Sequence, residues 1–194
     1  VGVAVLDMSM SLDGFIAGPN DGPHNPGGDG FSRLHAWGLT PDGEFRTAGA
    51  AGDLLDELKT IGAVLAGRRT AEQVGHWGGD HHGSGVPIFV PSNRLPGPSV
   101  ANYPLVTYVH DGITSAMRRA KHAARHRRVH VLGANTGRRA IAAGVLDEVQ
   151  IHTVPVLLGR GRRLFDVLPS SVELKIIRVV NTPEATHVRY RICR

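Results

Sequence analysis

Hydrophobic and polar positions along this chain change period repeatedly, and the changes predict strands alternating with helices. Val3 to Ser9 reads as the first strand. The Gly/Pro/Asn/Asp-rich stretch Gly18 to Gly30 comes next, too long for a plain connector and of a length that suits a lid. A short helix is expected from Asp29 to Trp37. Ala51, Leu54, Leu55, Leu58 and Ile61 trace one face of the following helix. Ala63 to Ala66 is a short buried strand, and Arg69 to Val74 the helix after it. Val86 to Val90 and Leu105 to Val109 are β-rich. Then Ile113, Ala116, Met117, Ala120, Ala123 and Ala124 fall at helical spacing, before a strand at Val129 to Leu132 and a helix at Thr136 to Ala143.

The end of the chain differs in kind. Val149 to Leu158, Val172 to Val180 and Val188 to Ile192 are strand patterns with no helix between them. In the last, Val188, Tyr190 and Ile192 alternate with Arg189 and Arg191, the signature of a strand with one wet face. Asn181 to Glu184 contains a proline and reads as the turn joining the final pair. The expected fold is α/β: a mostly parallel central sheet flanked by helices, finishing in an antiparallel hairpin. No repeat or linker divides it, so one domain over residues 1–194 is expected.

Composition narrows the class. Hydrophobic residues make up 41% of 194, enough for a core. The single cysteine, Cys193, allows no disulfide within the chain. The apolar stretch Val1 to Leu6 is short and ends at Asp7, and no segment approaches a membrane span, so a soluble cytoplasmic protein is expected. The net charge of +5 raises nucleic acid as a partner. The densest basic run, Arg118 to Arg128, lies opposite an apolar helical stripe and holds no aromatic residue to stack on bases, so a solvated helix face is the simpler reading.

Three segments are built to meet phosphates. Gly67-Arg68-Arg69-Thr70 lies between a buried strand and a helix, where a helix N-terminus presents unpaired N–H groups to an anion. Thr70 can add a hydroxyl, and Arg68 or Arg69 a guanidinium fork. An ordinary helix start with two solvated arginines fits the tetrapeptide equally well. Leu132-Gly133-Ala134-Asn135-Thr136 also leads from strand to helix, and Ser92-Asn93-Arg94 ends a strand with a hydroxyl and a guanidinium. In a parallel sheet such strand ends share one edge, which suits a dinucleotide with an extra phosphate. The first strand does not run into the G-x-G-x-x-G of the standard dinucleotide fold.

The segments Ser11-Leu12-Asp13-Gly14-Phe15-Ile16-Ala17-Gly18, Gly67-Arg68-Arg69-Thr70, Gly144-Val145-Leu146-Asp147-Glu148 and Pro155-Val156-Leu157-Leu158-Gly159-Arg160-Gly161 occur in one order across the chain. In them the sequence resembles the bacterial dihydrofolate-reductase-like proteins related to the C-terminal reductase domain of riboflavin biosynthesis. The resemblance implies NADPH as hydride donor. It implies that Gly67, Arg68, Arg69 and Thr70 bind cofactor phosphates, with Ser92 and Arg94 near the 2′-phosphate. Leu132, Gly133, Ala134, Asn135 and Thr136 would line the pyrophosphate, Ile16 and Ala17 the nicotinamide side, and Asp13 the substrate pocket. Relatives often carry Gly-Gly where this chain has Leu132-Gly133. Either binding at that turn is altered or the leucine side chain points into the core.

Hydride reduction of C=N or C=O also consumes a proton. Asp13 is the candidate donor if burial raises its pKa; the alternative is a turn cap, since Asp-Gly is a common turn pair. His76, His81 and His82 with Asp80 invite a metal, but their spacing is loose and a solvated loop is expected, with no metal. His152 lies inside a strand, either facing a pocket or satisfied in the core. The expected function is an NADPH-dependent reductase of a small pyrimidine- or pterin-like heterocycle or carbonyl. The alternative is a non-catalytic nucleotide-binding or regulatory protein of the same fold. A small-molecule substrate and a homodimer are expected, with no nucleic acid and no membrane.

Overall fold

The computed structural model describes residues 2–194, and Val1, the start of the expected apolar stretch, lies outside the described residues. In chain order the elements are β1 (Ala4–Ser11), β2 (Phe15–Ala17), α1 (Phe31–His35), α2 (Gly49–Asp56), β3 (Ile61–Ala66), α3 (Arg68–Gln73) and β4 (Ile88–Pro91). Then follow β5 (Val106–Val109), α4 (Ile113–Ala124), β6 (Arg128–Leu132), α5 (Ala134–Ala142), β7 (Glu148–Val154), β8 (Arg162–Arg163), β9 (Leu174–Asn181) and β10 (Thr186–Ile192). The fold is the expected one, a mostly parallel central sheet with flanking helices and an antiparallel C-terminal hairpin. Contacts gather into two compact units: β1 up to Leu6 with Ile61–Glu148, and Asp7–Thr60 with Val149–Arg194.

The first unit is a parallel run of strands in the order β5-β4-β3-β6-β1. All six residues of β3 are buried, as a parallel strand covered on both faces requires. Ile61, Val64, Ala66, Ala71, Val86, Ile88 and Val90 form one core cluster. Helix α4 buries Ile113, Ala116, Met117, Ala120 and Ala124 and exposes Arg118, Arg119 and His122, so its basic side is a solvated face. Each fully buried large side chain there, such as Met117, contributes roughly 1.5–3 kcal/mol.

In the second unit the remainder of β1 leads the order β1-β7-β10-β9, and β2 pairs with β8 as a separate ribbon. Leu34, Trp37, Ala51, Leu54, Val154 and Ala185 form its core. Strand β7 stops at Val154 rather than at the expected Leu158. Pro155 has no N–H for a ladder, and the amides of Leu158 and Gly159 are taken by the Asp13 carboxylate. The stretch Gly18 to Gly30 is tied to itself. Gly18 N–H donates to Gly27 O, Asp29 N–H to Pro19 O, and the Asn20 and Asn25 amides both donate to the Asp29 carboxylate. It is a stapled loop with its own hydrogen bonds.

In β10 the expected alternation holds in part: Arg191 is exposed and Val188, Tyr190 and Ile192 are half-buried, while Arg189 is half-buried too. Tyr190 pairs with Ile176 and Arg189 with Arg178, so Ile177 is an extra residue on β9. The bulge sets Leu174, Ile176 and Val179 on the same face as their partners Ile192, Tyr190 and Val188. Leu174, Ile176 and Val179 are exposed. The opposite face carries Arg178 and Arg189, both paired to Glu57. Among the described residues no helix is long and apolar enough to cross a membrane.

Candidate nucleotide site and a buried polar chain

In the first unit β4, β3 and β6 run parallel, so Ser92, Gly67 and Gly133 leave the sheet at one edge, as the sequence suggests. Two of these turns are locked together. The Gly67 N–H donates to Leu132 O at 3.0 Å. A β-carbon on Gly67 would lie 2.8 Å from Thr136 Oγ1, and one on Gly133 would lie 2.8 Å from Thr70 Oγ1. Each turn is therefore glycine where the threonine of the other helix crosses it. Gly133 also has φ +95, a backbone region that favours glycine.

This contact brings together Gly67, Thr70, Leu132, Gly133 and Thr136. Helix α5 starts at Ala134 with no side-chain cap, so its first-turn N–H groups, those of Ala134, Asn135 and Thr136, have no intrahelical acceptor. Asn135 is exposed, while Ala134 and Thr136 are buried. Leu132 points into the core, packing on the cluster around Ile61 and Val64. No peptide bond among the described residues is cis, and Leu132 is compatible with the turn as built.

The third turn is fixed differently. Ser92 Oγ accepts from Arg94 N–H at 3.0 Å and Ser92 O meets His110 Nδ1 at 2.7 Å. Arg94 is exposed. His110 is a supporting residue that the sequence reading missed, since nothing local links it to Ser92. Arg68 is engaged by Glu72 at 3.3 Å one turn along α3, and Arg69 is exposed. A glycine cradle, two hydroxyls, an uncapped helix start and an exposed arginine on one edge fit a nucleotide carrying phosphates.

Asp13, Ile16 and Ala17 belong to the second unit. Ile16 and Ala17 are buried in β2. The condition attached to Asp13 as a proton donor, a pKa raised by burial, is not met. Its carboxylate accepts from Ser11 Oγ at 2.6 Å, Leu158 N–H at 3.1 Å and Gly159 N–H at 2.7 Å. The Ser11 hydroxyl does most to hold it below the ordinary Asp range; desolvation opposes this, and the Gly159 and Leu158 amides lower it further. Arg163 also donates to Asp13 O, so this residue clamps the turn before β8 to the end of β1.

The histidine loop is not the solvated segment expected. His76 and His81 are buried, and His76 Nε2 meets Tyr108 Oη at 2.9 Å. Burial, with His130 and His82 nearby, lowers the His81 pKa to about 3, and its Nδ1 has no hydrogen-bond partner. Among the described residues no three His, Cys, Asp or Glu side chains are grouped to hold a metal.

The second unit holds a polar chain that the sequence shows only in part. Asp7, Ser9 and Ser11 alternate along one face of β1. Asp7 Oδ1 meets His152 Nε2 at 2.7 Å, and Asp7 Oδ2 accepts from Gln150 Nε2 at 3.2 Å. His152 Nδ1 meets His187 Nδ1 at 2.6 Å, and His187 Nε2 meets Thr182 Oγ1 at 3.2 Å. Trp37 covers the pair, its ring 4.3 Å from that of His152, and donates to Ser9 Oγ. Burial, then the neighbouring His152 ring, lowers the His187 pKa to about 4. His152 is therefore a satisfied core histidine. Asp7 was legible as a lone carboxylate ending an apolar strand start; His187 carried no signal beyond its strand.

The RibD C-terminal domain family model matches residues 3–188. No curated protein matches the chain. Among solved structures it is similar to a protein assigned to riboflavin biosynthesis in Shewanella sp. PV-4, with TM-score 0.76, 22% identity and 99% of each chain covered. A riboflavin biosynthesis reductase of Saccharomyces cerevisiae has TM-score 0.61 and 14% identity, with 100% of this chain and 90% of that chain covered. A dihydrofolate reductase of Enterococcus faecalis, complexed with NADP(H), has TM-score 0.58 and 16% identity, covering 98% of this chain and 96% of that chain. At these identities the likeness is one of fold.

Proposed function

We propose that this chain, which belongs to the RibD C-terminal domain family, is an NADPH-dependent reductase of a small pyrimidine- or pterin-like heterocycle or carbonyl. The family is one of reductases, and the dihydrofolate reductase of similar fold is complexed with NADP(H). One observation carries the cofactor assignment: the reciprocal packing of Thr70 on Gly133 and Thr136 on Gly67 at an uncapped helix start. When bound, NADPH supplies a hydride. The chain's own part is to hold the phosphates through the α5 N–H groups, Asn135 and the Gly67–Thr70 turn, and to select the 2′-phosphate with Arg94 and Ser92. Ile16 and Ala17 serve the nicotinamide side in this reading.

The test mixes the protein with NADPH and a panel of aminopyrimidines, dihydropterins and simple carbonyls, following absorbance of the reduced nicotinamide. Substrate-dependent oxidation supports the reading. Tight NADPH binding with no turnover across the panel selects the second one, a nucleotide-binding or regulatory protein. The engagement of Asp13 by three donors favours that second reading, because it removes the first-choice proton donor.

The protein acts as one cytoplasmic reductase domain and as a homodimer. The exposed Leu174, Ile176 and Val179 on the hairpin support self-association.

A further inference from the structure

The strand exits at the nucleotide edge are not secured alike. At β3 and β6 each turn leads straight into a helix, and the glycine–threonine packing locks the two together. The exit of β4 has no helix behind it. Asn93, Arg94 and Leu95 are all exposed, and a β-carbon on Gly97 would meet nothing within 4 Å. The place of Arg94 therefore depends on hydrogen bonds rather than on packing.

Those bonds all pass through Ser92. Its hydroxyl accepts from Arg94 N–H at 3.0 Å and donates to Arg94 O at 2.9 Å, so its one proton is spent within the turn. Its N–H donates to Val109 O at 3.0 Å. Its carbonyl oxygen accepts at 2.7 Å from Nδ1 of His110, the first residue after β5. A carbonyl only accepts, so Nδ1 carries the proton. The parallel strands β4 and β5 set Pro91 opposite Val109, which brings residues 92 and 110 to one edge. Ser92 thus offers no proton to a phosphate; its part is to join the exit of β5 to Arg94. Among the described residues no ion pair engages the Arg94 guanidinium, in contrast to Arg68, which Glu72 holds.

We infer that His110 is a positioning residue for nucleotide selection. Through Ser92 it holds the Arg94 turn in place, and so sets the preference for a nucleotide carrying a 2′-phosphate. The residues concerned all lie in the first unit, with the glycine–threonine turns. Asp111, the carboxylate next to His110 in the chain, is turned to Ser115 Oγ at 2.7 Å and to Arg119 at 3.3 Å, so its charge is answered on α4.

This inference rests on the NADPH reading, and the experiment separates the two. Amide exchange of the protein without nucleotide reads the turn directly. His110→Leu should speed exchange at Arg94 N–H. His110→Asn, whose side-chain amide can place an N–H where Nδ1 stands, should restore protection. Unchanged exchange in His110→Leu overturns the inference whatever the nucleotides do. Titration with NADPH and NADH then reads the consequence. His110→Leu should weaken NADPH about fivefold, the scale of one lost hydrogen bond, with NADH within about twofold and His110→Asn close to wild type. In an Arg94→Ala background the same substitution should change nothing further, since both act through one guanidinium. Equal losses for the two nucleotides, or a full further loss in that background, overturn the inference. A wild-type protein that does not prefer NADPH removes the 2′-phosphate reading and this role with it, even where exchange at Arg94 responds to His110→Leu.

Discussion

Thr70 Oγ1 stands 2.8 Å from the point where a β-carbon on Gly133 would lie, and Thr136 Oγ1 repeats the relation at Gly67. Gly133→Ala therefore meets both a clash and a φ of +95. The backbone alone costs on the order of 1–3 kcal/mol. Gly144 has φ +64 with nothing within 4 Å of a β-carbon, so Gly144→Ala carries strain without the clash. Urea denaturation should rank Gly133→Ala as the more damaging, and only that variant should weaken NADPH in calorimetry.

Arg94 is exposed at a strand end, whereas Arg68 is held by Glu72. Arg94→Ala should weaken NADPH by about 1–3 kcal/mol and leave NADH nearly unaffected. Arg68→Ala should cost less, since its guanidinium already has a partner. Titrating both nucleotides into both variants checks the order, and equal losses for NADPH and NADH would take Arg94 out of the 2′-phosphate site.

Asp13 has a depressed pKa in the folded protein. A depressed carboxylate stabilises the fold fully above its unfolded value, ordinarily 3.8, and loses that contribution as pH falls through the lower folded value. Asp13→Asn should lower Tm at neutral pH, and the gap from wild type should close only below the ordinary Asp range. A gap independent of pH in that range would reject the carboxylate clamp.

His81 behaves with the same sign for a different reason. Its folded pKa of about 3 lies below the ordinary 6.5, so its neutral burial stabilises fully above 6.5 and is lost as pH falls toward 3. Wild-type stability should decline through that window, with His187, at about 4, adding to the slope. His81→Leu should make the decline shallower, as read from urea midpoints across the window.

The sequence carried the fold well because its cues are local. The six buried residues of β3 and the apolar stripe of α4 each follow from one period along the chain. The glycine–threonine turns were also legible, as Gly67 with Thr70 and Gly133 with Thr136 repeat one strand-to-helix spacing. What escaped depends on distant partners. Nothing near Asp13 announces that Leu158 and Gly159 donate to it, and nothing near His152 announces His187. In β10 the partial burial of Arg189 escaped because its pairing with Glu57 lies outside the strand's own alternation, as does the bulge in β9.

The exposed hairpin face gives a test of assembly. Ile176→Lys puts charge at the centre of the apolar patch, opposite Tyr190. Light scattering should give a dimer mass for wild type and a monomer mass for the variant, with little change in Tm. A monomeric wild type would remove the homodimer.

The extra residue at Ile177 means that chain length, as much as residue identity, determines which chemistry this hairpin shows to solvent. In strict alternation Lys175 and Ile177 would share a side with Val179; the bulge puts Leu174 and Ile176 there instead, opposite Ile192 and Tyr190.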